Sequence, residues 1–186
     1  TVDLGALYYY TALYGLIIII PILTMRIFAE ERKNGTEQLL LTSPTGMLKV
    51  VFGKFFAALS VILITLVISL MFFAIISYFG KPNIGTTLVA ILGFIFLSMA
   101  AISVGMFASS LTENQIIAGV ITVAFLVISL FTNNISSSLE GITLIDYYTK
   151  FAQGIISIEN IISLLLFTFV FISLTIIVMQ RRKLVK

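Results

Sequence analysis

From Phe55 to Phe79 the chain carries no charged side chain. A helix of that length rises about 37 Å, enough to cross the roughly 30 Å hydrocarbon core of a bilayer. The run therefore puts the chain in a membrane, and its first three turns, with Lys49 and Lys54, stand before the apolar part. Composition agrees: 60% of residues are hydrophobic, 10% are charged and the mean hydropathy is +1.17, far from the balance of a soluble domain.

Four further apolar stretches, at about 4–25, 86–109, 116–131 and 158–180, join 55–79 as five expected membrane spans. The expected fold is thus an all-α polytopic membrane protein in which residues 1–186 form one transmembrane domain. Tyr8, Tyr9, Tyr10 and Tyr14 cluster where the first span meets the headgroups. Pro21, near the far end of that span, removes one donor and crowds the carbonyl of Ile17, so a kink is expected there, either as a tolerated proline or as a hinge. Ser43-Pro44 reads as a cap and first position of the second helix. Gly80 to Gly85 form a turn cluster, and Ser110 to Gln115 a short polar connection. In the third span, Ala100, Ala101, Ser103, Gly105, Ala108 and Ser109 let neighbouring helices approach closely.

The outer segment 132–159 is too long and too patterned for a plain loop. Leu144, Tyr147, Tyr148, Phe151 and Ile155 recur at helical spacing opposite Asp146, Lys150 and Gln153, with Gly154 placed to end the turn. That pattern predicts a short amphipathic helix lying in the interface. Asn134-Ile135-Ser136 matches a glycosylation triplet that is common by chance. The last helix is expected to start at a Ser157 cap and to end at Arg181-Arg182-Lys183.

Several functions are excluded by what is missing. The chain has no cysteine and no histidine, so thiol and imidazole chemistry and the usual zinc and haem ligands are absent. The apolar cores of the spans hold no ionisable group, which argues against a proton- or sodium-driven carrier and for energy delivered by a partner. A carboxylate pair or nucleophile constellation suited to an enzyme is also missing. A net charge of +3 is too small to indicate nucleic acid, yet its distribution is informative. With the 26–54 segment inside, nine basic residues lie inside and only Lys81 and Lys150 outside, which fixes the orientation. Thr1 then faces outward, and one more span upstream is expected.

The 26–54 segment is the long polar excursion of this chain. Five of its charges fall between Arg26 and Lys33, followed by a Gly35-Thr36 break and three leucines, Leu39, Leu40 and Leu41, that no span accounts for. Glu37 sits in the first turn after the break, where the helix dipole favours a negative charge. Burying the three leucines against a partner would contribute on the order of 4–9 kcal/mol. The alternative is that they pack on the bases of the second and third spans or touch lipid headgroups, with Glu30, Glu31, Arg32 and Lys33 as a solvated face, and different leucines can take different roles.

The run Arg26, Glu30-Glu31-Arg32-Lys33, Gly35-Thr36-Glu37, Leu39-Leu40-Leu41-Thr42-Ser43-Pro44, with Gly53-Lys54 opening the next span, resembles the cytosolic segment of the permease subunit of type-2 ABC exporters. Gliding-motility-associated and copper-maturation permeases belong to that group. The resemblance implies a six-helix permease in a bacterial cell membrane that pairs with a second permease chain, identical or related. It also implies docking of a separate ABC ATPase subunit on a coupling helix within Gly35 to Met47. Glu30, Glu31, Gly35, Thr36, Glu37, Leu39, Leu40 and Leu41 are then the coupling residues. ATP and Mg belong to the ATPase, since this chain has no G-x-x-x-x-G-K-[ST] loop and no cofactor site of its own. Phe125 and Phe131 are candidates for an outer gate, or simply bundle core. The alternative function is a non-transporting membrane scaffold or sensor whose loop recruits a cytosolic partner.

Overall fold

The computed structural model of the chain describes residue 10 and residues 14–42, 45–79, 83–131 and 144–185, and its regular elements are all helical among these. Tyr8, Tyr9, Ser43, Pro44, Lys81 and the Asn134 triplet lie outside the described residues.

Pro21 shapes the first of them. Instead of a continuous α-helix, the chain widens into a π-turn over Gly15–Ile19, in which the Ile20 N–H reaches the Gly15 carbonyl, and helix α1 starts afresh at Ile20–Thr24 with Pro21 in its opening positions. A proline there has no intrahelical donor to lose. The single wide turn absorbs the clash that an uninterrupted helix would suffer.

Two short helices follow, α2 (Ala29–Lys33) and α3 (Glu37–Thr42), then the longer α4 (Met47–Phe79), α5 (Ile84–Leu111) and α6 (Gln115–Phe131), the short α7 (Leu144–Ala152) and the long α8 (Ile158–Val185). Three of these are long and apolar enough to cross a membrane: α4 over Met47–Met71, α5 over its whole length and α8 over Ile158–Leu184. Helix α6 is apolar but shorter, with its apolar part at Gln115–Ser129.

Three boundaries differ from the sequence reading. Helix α4 does not begin at Pro44: Thr45 and Gly46 are non-helical, and the Gly46 carbonyl takes the first bonds from the N–H groups of Lys49 and Val50. Helix α5 begins at Ile84 because the Asn83 side chain caps it, accepting from the Thr86 N–H. Helix α8 runs through Arg181-Arg182-Lys183 to Val185 rather than stopping there. Arginine and lysine are good helix formers, and their charge suits a helix C-terminus.

Helix α5 is the core. Of its most apolar stretch 56% is buried, against 33% in α4 and 22% in α8. Its small residues permit this: Ala90, Gly93, Ala100, Ala101, Ser103, Gly105 and Ala108 are all buried, and α1, α4, α6, α7 and α8 all pack on it. At two glycines the approach leaves no room for a side chain. A Cβ on Gly105 would overlap the Thr24 side chain of α1, and one on Gly93 would overlap Phe151 of α7.

The amphipathic α7 forms where the spacing placed it, and its apolar face turns into the protein. Leu144, Tyr148 and Phe151 are buried, while Lys150 and Gln153 are exposed. Gly154 (φ 82°) ends the helix: its N–H bonds to the Phe151 carbonyl and the Ile155 N–H to the Lys150 carbonyl. This left-handed step carries Ile155 out of the apolar stripe to which its spacing assigned it, and the side chain is exposed. Polar bonds from Leu144 N–H to Ser129 Oγ (2.9 Å) and from Asn160 Nδ2 to the Tyr147 carbonyl (2.9 Å) pin α7 to α6 and α8.

Candidate functional site

The polar segment after α1 is folded back against the ends of the long helices. A turn at Met25–Phe28 leads into α2, whose N-cap Phe28 provides no side-chain bond to the free N–H groups of the helix. Ser109, from the end of α5, supplies it. Its hydroxyl oxygen accepts from the N–H groups of Phe28 (3.1 Å) and Ala29 (3.0 Å) and its proton goes to the Met25 carbonyl (3.0 Å). Both lone pairs and the proton are thereby used. Phe28 and Ala29 are buried at this contact.

Lys54 secures the other side. Its ammonium donates to the Ile27 carbonyl (2.6 Å), pairs with Glu31 Oε1 (2.5 Å) and lies 4.6 Å from the centre of the Phe28 ring. The last cation before the uncharged run is thus neutralised by groups on the folded-back segment, which offsets the cost of partly desolvating it.

Arg32 extends the ties to the next connection. Its Nε lies 2.9 Å from Glu113 Oε1, and its Nη1 donates to the Leu111 carbonyl at 3.4 Å. The chain then turns at Gly35 (φ 73°), a left-handed conformation that favours glycine, and α3 begins. The Thr36 hydroxyl donates back to the Glu31 carbonyl (3.1 Å), bracing the turn. Glu37, first residue of α3, is buried between two guanidinium groups: Arg182 Nη1 at 3.2 Å and Arg32 Nε at 3.9 Å.

The three leucines part ways. Leu39 is 75% exposed, Leu40 packs against the core, and the Leu41 side chain lies outside the described part. Beside Leu39 lies an open depression of about 420 Å³ lined by Glu31, Thr36, Leu39, Leu40, Thr45 and Val50. Glu30 is half-buried and Gly35 exposed. The site residues read from the sequence at 30–40 therefore come together in one folded unit. Within α2, Glu31 and Arg32 are paired, while Lys33 is exposed.

Sequence reasoning missed the partners: Lys54, Ser109, Leu111, Glu113 and Arg182. One signal was available, because a lysine next to a long uncharged run needs a counter-charge. Nothing local announces Arg182, which is 145 residues from Glu37. The proposed gate residues stand elsewhere. Phe125 packs on Phe167 and edge-on to Phe171, which also meets Phe107, and the Phe131 side chain lies outside the described part.

Membrane-length helices around a small-residue core, with a polar segment braced against their ends, define a helical membrane protein. The family described as ABC-2 family transporter protein matches residues 9–184, and the chain belongs to it, as a permease subunit of an ABC-2 transporter. No curated protein and no solved structure matches it.

Proposed function

We propose that this permease is the membrane half of an ATP-driven exporter, with a separate ABC ATPase docked on α3. The observation that carries the reading is Leu39, a large apolar side chain 75% exposed on a helix held in place from behind by Glu37 and Leu40. An exposed leucine beside an open depression, on a rigid support, is what a receiving groove on a partner engages. ATP and Mg belong to that partner. Glu30, Glu31, Gly35, Thr36 and Glu37 serve the coupling mainly by shaping and bracing α2 and α3.

Five spans, with α4, α5, α6 and α8 among them, fit this reading, because alternating crossings bring the end of α8 back to the side of the 26–54 segment. The Arg182–Glu37 pair supports that arrangement, as does the nine-to-two division of basic residues. Helix α7 then lies at the outer interface, with Phe125 and Phe131 nearby as gate candidates. A second permease chain, identical or related, completes the pathway in a bacterial cell membrane. The finer likeness to gliding-motility-associated and copper-maturation permeases rests on the Glu30 to Pro44 motif. Family membership favours transport over the scaffold alternative.

The test is co-purification of the ATPase with Leu39→Asp. A charge introduced into an apolar socket is expected to abolish the complex while the permease still inserts and folds. Retention of the ATPase at the native level by folded Leu39→Asp overturns docking at α3.

A further inference from the structure

Of the three basic residues near the end of α8, Arg181 and Lys183 are exposed, while Arg182 is half-buried. Its Nη1 donates to Glu37 Oε1 at 3.2 Å and its Nη2 to the Ser110 carbonyl. One guanidinium thus holds α3, the C-terminal end of α5 and α8 at a single point. The planar fork fixes the directions of its two acceptors relative to each other, which a lysine ammonium does not. Glu37 is 7% exposed and has Arg32 on its other side, so its charge is satisfied by protein rather than by water. Helix α8 in turn packs along α5 more extensively than any other pair of elements among the described residues pack together.

We propose that Arg182 is a positioning residue that ties α3 to α8, so that a push on α3 reaches the adjoining ends of α5 and α8 as one rigid unit. Its use in transport rests on the docking of an ATPase at α3, whereas the tie itself is a property of the permease alone. Helix α4, the next element in the chain after α3, is joined to the segment through Lys54 at α2 instead. Motion imposed on α3 therefore passes to helices distant in sequence by a polar link.

The absence of cysteine makes a direct test clean. Spin labels are placed on Gln38→Cys and Arg181→Cys, both on exposed positions of α3 and α8, and their separation is measured by double electron–electron resonance in nanodiscs. With Arg182 in place, the permease is expected to give one narrow distance that stays the same when ATPase and vanadate-trapped ATP are added. Arg182→Gln is expected to broaden the distribution and make its mean respond to nucleotide, and Arg182→Lys, which keeps the charge and one bond, to fall between. Glu37→Ala removes the other end of the tie and should broaden the same distance, so a folding failure of one variant leaves the other to decide. An unchanged width in a folded Arg182→Gln or Glu37→Ala protein, or a native distance that shifts with nucleotide, overturns the proposal. If Leu39→Asp retains the ATPase while the width results hold in the permease alone, the docking site is wrong and the tie stands.

Discussion

Two short pieces of this chain pack against the long helices, and what chiefly holds each of them differs. Helix α7 is fastened chiefly by burial, with two polar bonds beside it: Leu144, Tyr148 and Phe151 enter the core, and Phe151 closes over Gly93. The α2–α3 pair is fastened chiefly by directed polar bonds, to Ser109, Leu111, Glu113, Lys54 and Arg182, and it leaves Leu39 outside. Burial holds a helix with little regard to small rotations, and it uses up the apolar face. Hydrogen bonds and ion pairs fix direction over a small area and leave apolar surface free. The first arrangement finishes a surface, and the second presents one.

The sharpest way to break this contrast is at Phe151. Phe151→Ala opens a cavity under α7 and is expected to cost about 3 kcal/mol of stability or more, read by unfolding of the purified protein in detergent. A loss below about 1 kcal/mol would mean that burial is not what holds α7. Ser109→Ala comes next. It strands the Phe28 and Ala29 N–H groups and is expected to cost about 1–3 kcal/mol. Hydrogen exchange should rise over residues 25–33 and stay unchanged over α7, and a uniform rise would erase the distinction. Leu39→Ser is the smallest. Being exposed, it should shift stability by no more than about 0.5 kcal/mol in a melting experiment, and a larger loss would show that Leu39 is packed after all.

Much of this was legible in the sequence, and the division follows the same line. Helix α7 was readable because burial leaves a periodic mark: Leu144, Tyr148 and Phe151 stand at i, i+4 and i+7. Only Ile155 misled, since Gly154 turns the chain before the stripe is complete. The long helices were readable from their uncharged runs, and the small residues of α5 from their crowding. The partners that hold α2 and α3 were not readable, apart from the counter-charge that Lys54 called for, because ion pairs such as Glu37 with Arg182 obey no local period. Ser109 was grouped with the small packing residues, which it resembles in size, although its hydroxyl does the more specific work. Among the leucines, the sequence could name three candidates but not rank them, since only the fold decides that Leu40 faces inward and Leu39 outward.

Ser109 also sets how freely this protein can drift. Its position needs a side chain that takes two N–H groups, returns one proton and fits where 1% of the residue is exposed. Threonine adds a methyl group to a full space, cysteine offers only a weak and longer partner, and alanine fits but neither accepts nor donates. The site is a word with one spelling. Leu144, Tyr148 and Phe151 can be respelled in many apolar combinations that keep the total volume. Substitutions are therefore expected to accumulate under α7 while position 109 stays still.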